Sequence, residues 1–304
     1  MSSTWTLTKM RLRLAVRNRA FFFFILVMPM IFLFGAVALI GHGRTAWVGY
    51  ILGAILTLTV MGSFWGLSVQ LVTFREQGIL RRFRLAPLGA GPILASSILS
   101  NYLLLLPVMA FEIVICRWAF HMRSWGDLAA ILLLVTVGSG TFSALGLIVA
   151  SVTNTMQETQ MINNLIWTAL LFLSGATIPL AIFPGWLQRV ALFIPAQYLA
   201  TGLESAATSL ITRAELIADT TALVLGLAVA FEVSRRLFRW EPEAKAPRSA
   251  KLWALAALVP FLAFGVWENA TGTRLSHIKQ NFDILGSRAI TEHMPGAGEA
   301  SGPR

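Results

Sequence analysis

The stretch TFREQGILRRFRLAPLG, Thr73–Gly89, lies between two long apolar runs and decides how the rest of the chain reads. It holds Arg75, Arg81, Arg82 and Arg84, one acid at Glu76, a glycine at 78 and a proline at 87. The 304-residue chain around it is 56% hydrophobic and only 12% charged, with mean hydropathy +0.71. Soluble domains carry roughly 25% charged residues, so this is a membrane composition. A net charge of +10 would suit a nucleic-acid binder, but the basic residues sit at the ends of apolar runs, as expected of the cytoplasmic flanks of membrane spans. A nucleic-acid partner is therefore excluded. The single cysteine, Cys116, excludes an intrachain disulfide, and the four histidines are scattered, without metal-ligand spacing.

About 20 apolar residues cross a ~30 Å hydrocarbon core. That rule predicts an all-α, polytopic membrane bundle with spans near 20–41, 46–73, 93–116, 128–150, 161–183, 215–237 and 251–267. The seventh is short and interrupted by Pro260. Basic residues cluster in the N-terminal arm (Lys9, Arg11, Arg13, Arg17, Arg19), in the stretch after span two and in 235–251. This bias puts those segments in the cytoplasm and the C-terminus outside after the seventh span. The start resembles a signal peptide, with AVA at Ala36–Ala38, but the run is long enough to span and more spans follow, so a retained anchor is expected.

In residues 1–19, Lys9, Arg13 and Arg17 stack at helical spacing beside Leu7, Met10 and Leu14. Such a helix suits the interface, its charges near anionic head groups, although Arg11 and Arg19 spoil a two-face pattern. Between spans five and six, Pro179, Pro184 and Pro195 cut an apolar stretch into short pieces, with Trp186 beside a Pro-Gly turn. Backbone of that kind at membrane depth survives only inside protein or facing a cavity, so short helices re-entering over ~176–205 are expected. Residues 239–250 read as a charged, Pro-rich linker, and 268–304 as a polar tail ending in disorder.

No nucleotide-binding P-loop or hydrolase motif occurs, so no catalytic residue is expected. Glu112 and Glu232 lie near span ends close to Arg117 and Arg235, and snorkelling explains both. Asn163, Asn164, Trp167 and Phe172 are candidates for a path through span five, with interhelical hydrogen bonding an equally open role for the amides. In the opening stretch, Glu76–Phe83 predicts a two-turn helix along the membrane plane. Ile79, Leu80 and Phe83 would form an apolar edge for a partner's groove, and Arg81, Arg82 and Arg84 a charged rim. Glu76 would cap the helix or pair with the partner. Gly78 would bend the helix or admit a backbone, and Pro87 would end it. A plain topology signal is the competing reading.

FREQGILRRFRLAPL resembles the coupling helix of type-2 ABC exporter permeases, through Glu76, Gly78, Leu80, Arg81, Arg82 and Pro87. RLRLAVRNRAFFFFILVMPMIFLFG resembles that family's basic interfacial helix and first span, with Pro29 in place. LFLSGATIPLAIFPGWLQRVALFIPAQYLATGL resembles its span-five exit and external helices, with Pro179, Pro184, Trp186 and Pro195 in place. The likeness covers roughly residues 5–238, nearest the drug- and lipid-exporter branch. It implies a six-span domain over 20–238 with a coupling helix at ~75–87, in the bacterial cytoplasmic membrane. It also implies two ATPase subunits carrying ATP and Mg, a second permease copy or homologue, lipid contacts, and no cofactor on this chain. Drug, lipid, peptide and polyketide substrates all fit. A non-transporting scaffold or regulator with the same fold is the alternative. The linker, seventh span and tail depart from the family pattern.

Overall fold

A backbone in hydrocarbon must satisfy its own hydrogen bonds, and helices do so within one segment. The computed structural model describes residues 2–17, 19–41, 45–84, 89–122, 124–241 and 250–293. It is 85% helical, with no strand among the described residues. Helix α1 (Ser2–Arg17) leads into α2 (Arg19–Ala36), which continues as a π-helical turn, Val37–Gly41. There follow α3 (Thr45–Glu76), α4 (Ile79–Arg84), α5 (Ala90–Trp118), α6 (Leu128–Val152) and α7 (Met156–Leu173). The short α8 (Gly185–Ala191) and α9 (Pro195–Ala207) precede α10 (Arg213–Leu237), α11 (Ala250–Ala256), α12 (Val259–Thr271) and α13 (Thr273–His293). Among the described residues, five runs are long and apolar enough to cross a membrane: Trp47–Glu76, Ala90–Trp118, Leu128–Val152, Arg213–Leu237 and Leu252–Thr271.

Helices α3 and α6 form the centre, and α9 is wedged between α3, α6 and α10. Small residues set these approaches, as in membrane bundles generally. A Cβ on Gly146 of α6 would lie 2.1 Å from the Phe64 carbonyl oxygen of α3, and one on Gly53 of α3 would lie 2.4 Å from the Glu204 Cα of α9. The helix-breaking chemistry is local. Asp127 caps α6 by accepting from the Ala129 and Ala130 amides, and Thr212 with Glu215 forms a capping box on α10.

Three expectations change. The fifth run is helical over Met156–Leu173, not 161–183. It starts early because Thr155 accepts from the Glu158 amide, and it ends where Gly175 takes φ +90°. The seventh run breaks at Ala257–Leu258, with Pro260 in the first turn of α12, and reaches Thr271. The polar tail, for which no element was expected before its disordered end, holds a helix, α13. Gly272, at φ +65°, turns the chain into α13, whose Leu285 and Ala289 are buried. The expected disordered end, 294–304, and most of the linker, 242–249, lie outside the described residues.

The glycine seams give a paired prediction. Gly146→Ala should lower stability by about 1–3 kcal/mol through overpacking. Gly62→Ala, with nothing within 4 Å of its added methyl, should be neutral or stabilising by about 0.5–1 kcal/mol. Thermal unfolding of the purified chain in detergent reads both.

Candidate coupling and transport surfaces

Helix α4 is six residues long, shorter than expected, because Glu76 ends α3 and Gly78 turns the chain at φ +67°. No heavy atom lies within 4 Å of a Cβ built on Gly78, so this glycine serves the bend and not a close approach. Leu80 is fully buried in a cluster with Leu67, Leu71, Val72, Leu94 and Leu147, and half-buried Phe83 packs on the same cluster. This overturns the expected orientation. The Leu80 edge is not free for a partner's groove but seats α4 on its own bundle. Ile79 is half-buried, and the surface left exposed is Glu76, Gln77, Arg81 and Arg82. The Arg84 side chain and Pro87 lie outside the described residues.

Glu76 caps a different helix from the one expected. Its Oε1 accepts from the Met156 amide at 2.7 Å, at the first turn of α7, where a carboxylate is favoured by the helix dipole. Arg75 looked like a loop charge but is only 2% exposed. Its guanidinium donates to the carbonyls of Ala150 at 2.7 Å and Thr153 at 2.8 Å, serving the open C-terminal end of α6. Arg239 reaches the same turn, donating to Asn154 Oδ1 at 3.0 Å and to the Thr153 carbonyl. The bend before α4 is thus bonded directly to the α6–α7 turn.

The four residues expected along a path fall on two faces of α7. Asn163 is buried and donates to Ser68 Oγ at 2.6 Å, while Trp167 stacks edge-on against Trp65 with ring centres 6.3 Å apart. These two hold α7 to α3. Asn164 and Phe172 are exposed, in one stripe with Gln157, Gln160, Met161, Leu165 and Thr168.

The proline-cut segment becomes a short 3₁₀ turn, Leu180–Ile182, with Pro179 before it, then α8 after Pro184 and α9 starting on Pro195. Gln188 donates to the Phe183 carbonyl at 2.8 Å and the Tyr198 hydroxyl to the Leu192 carbonyl at 2.7 Å, so side chains satisfy the irregular backbone. Trp186 is exposed and α9 is almost wholly buried. This segment lies at the bundle end opposite α4. At the α4 end, Arg11 is buried: it donates to Ser97 Oγ and to Gln70 Oε1 at 3.3 Å, and lies over the Phe74 ring. That is why it broke the two-face pattern. Burial lowers its guanidinium to about 10, still charged at neutral pH. Lys9, Met10, Arg13 and Leu14 are exposed beside it.

Residues 2–207, more than half of the chain, match the family described as ABC-2 type transporter. The chain belongs to that family. It is also similar to the linearmycin resistance permease protein LnrN of Bacillus subtilis (strain 168), 26% identical over 174 residues. That match spans 57% of this chain and 44% of the relative, so the chain covers less than half of the relative's length. An ABC-2 permease is the membrane subunit of an ABC transporter, and this one is multi-pass.

Glu112 is a further correction within the permease. It does not snorkel toward Arg117. It is fully buried and accepts from Thr59 Oγ1 of α3 at 2.7 Å, while Arg117 donates to the Met122 carbonyl. Glu232 behaves as expected, paired with Arg235 at 2.8 Å and Arg236 at 2.6 Å.

Arg75→Gln should strip the Ala150 carbonyl of its guanidinium donor and cost about 1–3 kcal/mol, while Arg239 still serves the Thr153 carbonyl. Arg82→Gln, on the exposed face, should stay within ±0.5 kcal/mol. Denaturation midpoints of the two variants in detergent test the contrast.

Proposed function

We propose that this chain is the membrane half of an ATP-driven exporter, working with two ATPase subunits and a second permease, either a copy of itself or a homologue. The bond from Glu76 to the head of α7, flanked by Arg75 on the α6 end, carries this reading. A push on α4 meets a buried Leu80 anchor and passes through that turn to α7, whose outer stripe carries polar side chains. In lipid, unpaired amides cost free energy. Gln157, Gln160 and Asn164 are therefore better placed against the second permease or a wet path between the two. Their alternation with Met161, Leu165 and Phe172 suits an amphipathic cargo.

In this reading the α4 end is cytoplasmic, in a bacterial inner membrane, and α8, α9 and α13 lie outside. The exposed face of α1 rests Met10 and Leu14 in the interface with Lys9 and Arg13 near anionic head groups. This chain holds no nucleotide; ATP and Mg belong to the ATPase. The resistance named for the Bacillus relative makes linearmycin the first cargo to try, ahead of lipids, peptides and other drugs.

Coexpression with an ATPase encoded beside the gene, in a linearmycin-sensitive host, tests the proposal. The pair should raise the inhibitory concentration, and neither alone should. Arg81→Glu with Arg82→Glu should weaken ATPase capture at least tenfold, about 1.4 kcal/mol, because reversed charges at an interface rim repel. Asn164→Leu should leave capture unchanged and reduce protection. A permease that never captures the ATPase would instead be a scaffold or regulator.

A further inference from the structure

Helix α13 lies outside the family match, and one buried side chain makes most of its polar contacts. Arg274 is 5% exposed. Its Nη1 lies 2.6 Å from Asp219 Oδ1 on α10 and 3.7 Å from Glu268 on α12. Its Nε donates to Gln197 Oε1 on α9 at 3.1 Å, and Nη2 donates to Thr201 Oγ1 on the same helix. The guanidinium also stands 4.7 Å from the centre of the Tyr198 ring. One arginine therefore joins α13 to three other helices, two of its bonds falling on the re-entrant α9. Further along, His277 meets Glu215 of α10 at 3.2 Å, Asn281 donates to Ser205 of α9 at 3.3 Å, and Phe282 packs edge-on against Trp47 at the head of α3.

The docked state is strong at one point and incomplete around it. Gln197 Nε2 is buried without a hydrogen-bond partner among the described residues, and the fully buried Glu204 meets Tyr50 of α3. A cavity of about 30 Å³ remains between α9 and α13, lined by Thr201, Glu204, Ser205 and Asn281. Three carboxylates, Glu215, Asp219 and Glu268, face Arg274 and His277. Buried polar atoms left unpaired raise the free energy of the closed arrangement. Lifting α13 would hydrate them and so offset part of the lost ion pair. A permanent strut gains nothing from that arrangement; a releasable one does.

We propose that α13 is a latch on the outer end of the permease, with Arg274 as its positioning residue: seated, it holds α9 closed, and each transport cycle requires its release. The proposal rests on the exporter reading above. The test uses the full chain assembled with its ATPase in lipid nanodiscs. Ser205→Cys with Asn281→Cys places two thiols across the α9–α13 contact, and the one native cysteine, Cys116, is buried. Bridging them with a short bis-methanethiosulfonate should cut ATP turnover at least tenfold, and reductant should restore it. Full bridging with turnover unchanged overturns the latch. Arg274→Gln, unbridged, should raise basal turnover at least threefold, since a freed latch removes a barrier; lowered turnover in a complex that still assembles means Arg274 only supports the fold, and also overturns it. If the reduced, unbridged complex hydrolyses no ATP, the exporter reading itself fails, and the latch with it.

Discussion

Hydrogen bonding of the backbone in a medium that offers no water governs this molecule. Every long run is helical because a helix pairs its own amides and carbonyls, and at three interruptions side chains finish the pairing. The α6–α7 turn is finished by Arg75 and Arg239, the segment before α9 by Gln188 and Tyr198, and the head of α7 by Glu76.

The buried arginines divide the labour. Arg11 ties α1 to α3 and α5, Arg75 ties α3 to the end of α6, and Arg274 ties α13 to α9, α10 and α12. A planar guanidinium can serve several acceptors at once without losing its charge. Among the described residues, the exposed Arg13, Arg81 and Arg82 make no such bonds. The basic composition therefore reflects two populations with different physics.

Much of this was legible in the sequence. Span length and the positions of Lys and Arg marked four of the five long apolar helices closely, and the FREQGILRRFR stretch marked the bend and α4. The misplaced charges share one cause: sequence position at a span end does not say whether a charge points out or in. Arg75 and Glu112 look like flanks and are buried. Leu80 looks like an edge for a partner and is an anchor, because the apolar cluster it completes comes from α3, α5 and α6, far apart in sequence. Helix α7 was misplaced because its polar first half carries no hydropathy signal, although Thr155 and Glu158 form a legible start. Helix α13 in the tail was missed despite a helical repeat of Leu275, Ile278, Phe282, Leu285 and Ala289, which its polar surroundings masked.

The seam between α3 and α9 has a mechanical consequence. At Gly53 the backbone of one helix lies directly against the backbone of the other, with no side chain interposed there. Interdigitated side chains lock two helices in register, whereas small shear displacements between packed helices are a common mode of domain motion. A smooth backbone contact keeps the helices close but supplies no knob to be lifted from a hole. At that point α9 is carried on α3 as on a bearing, which resists separation more than sliding.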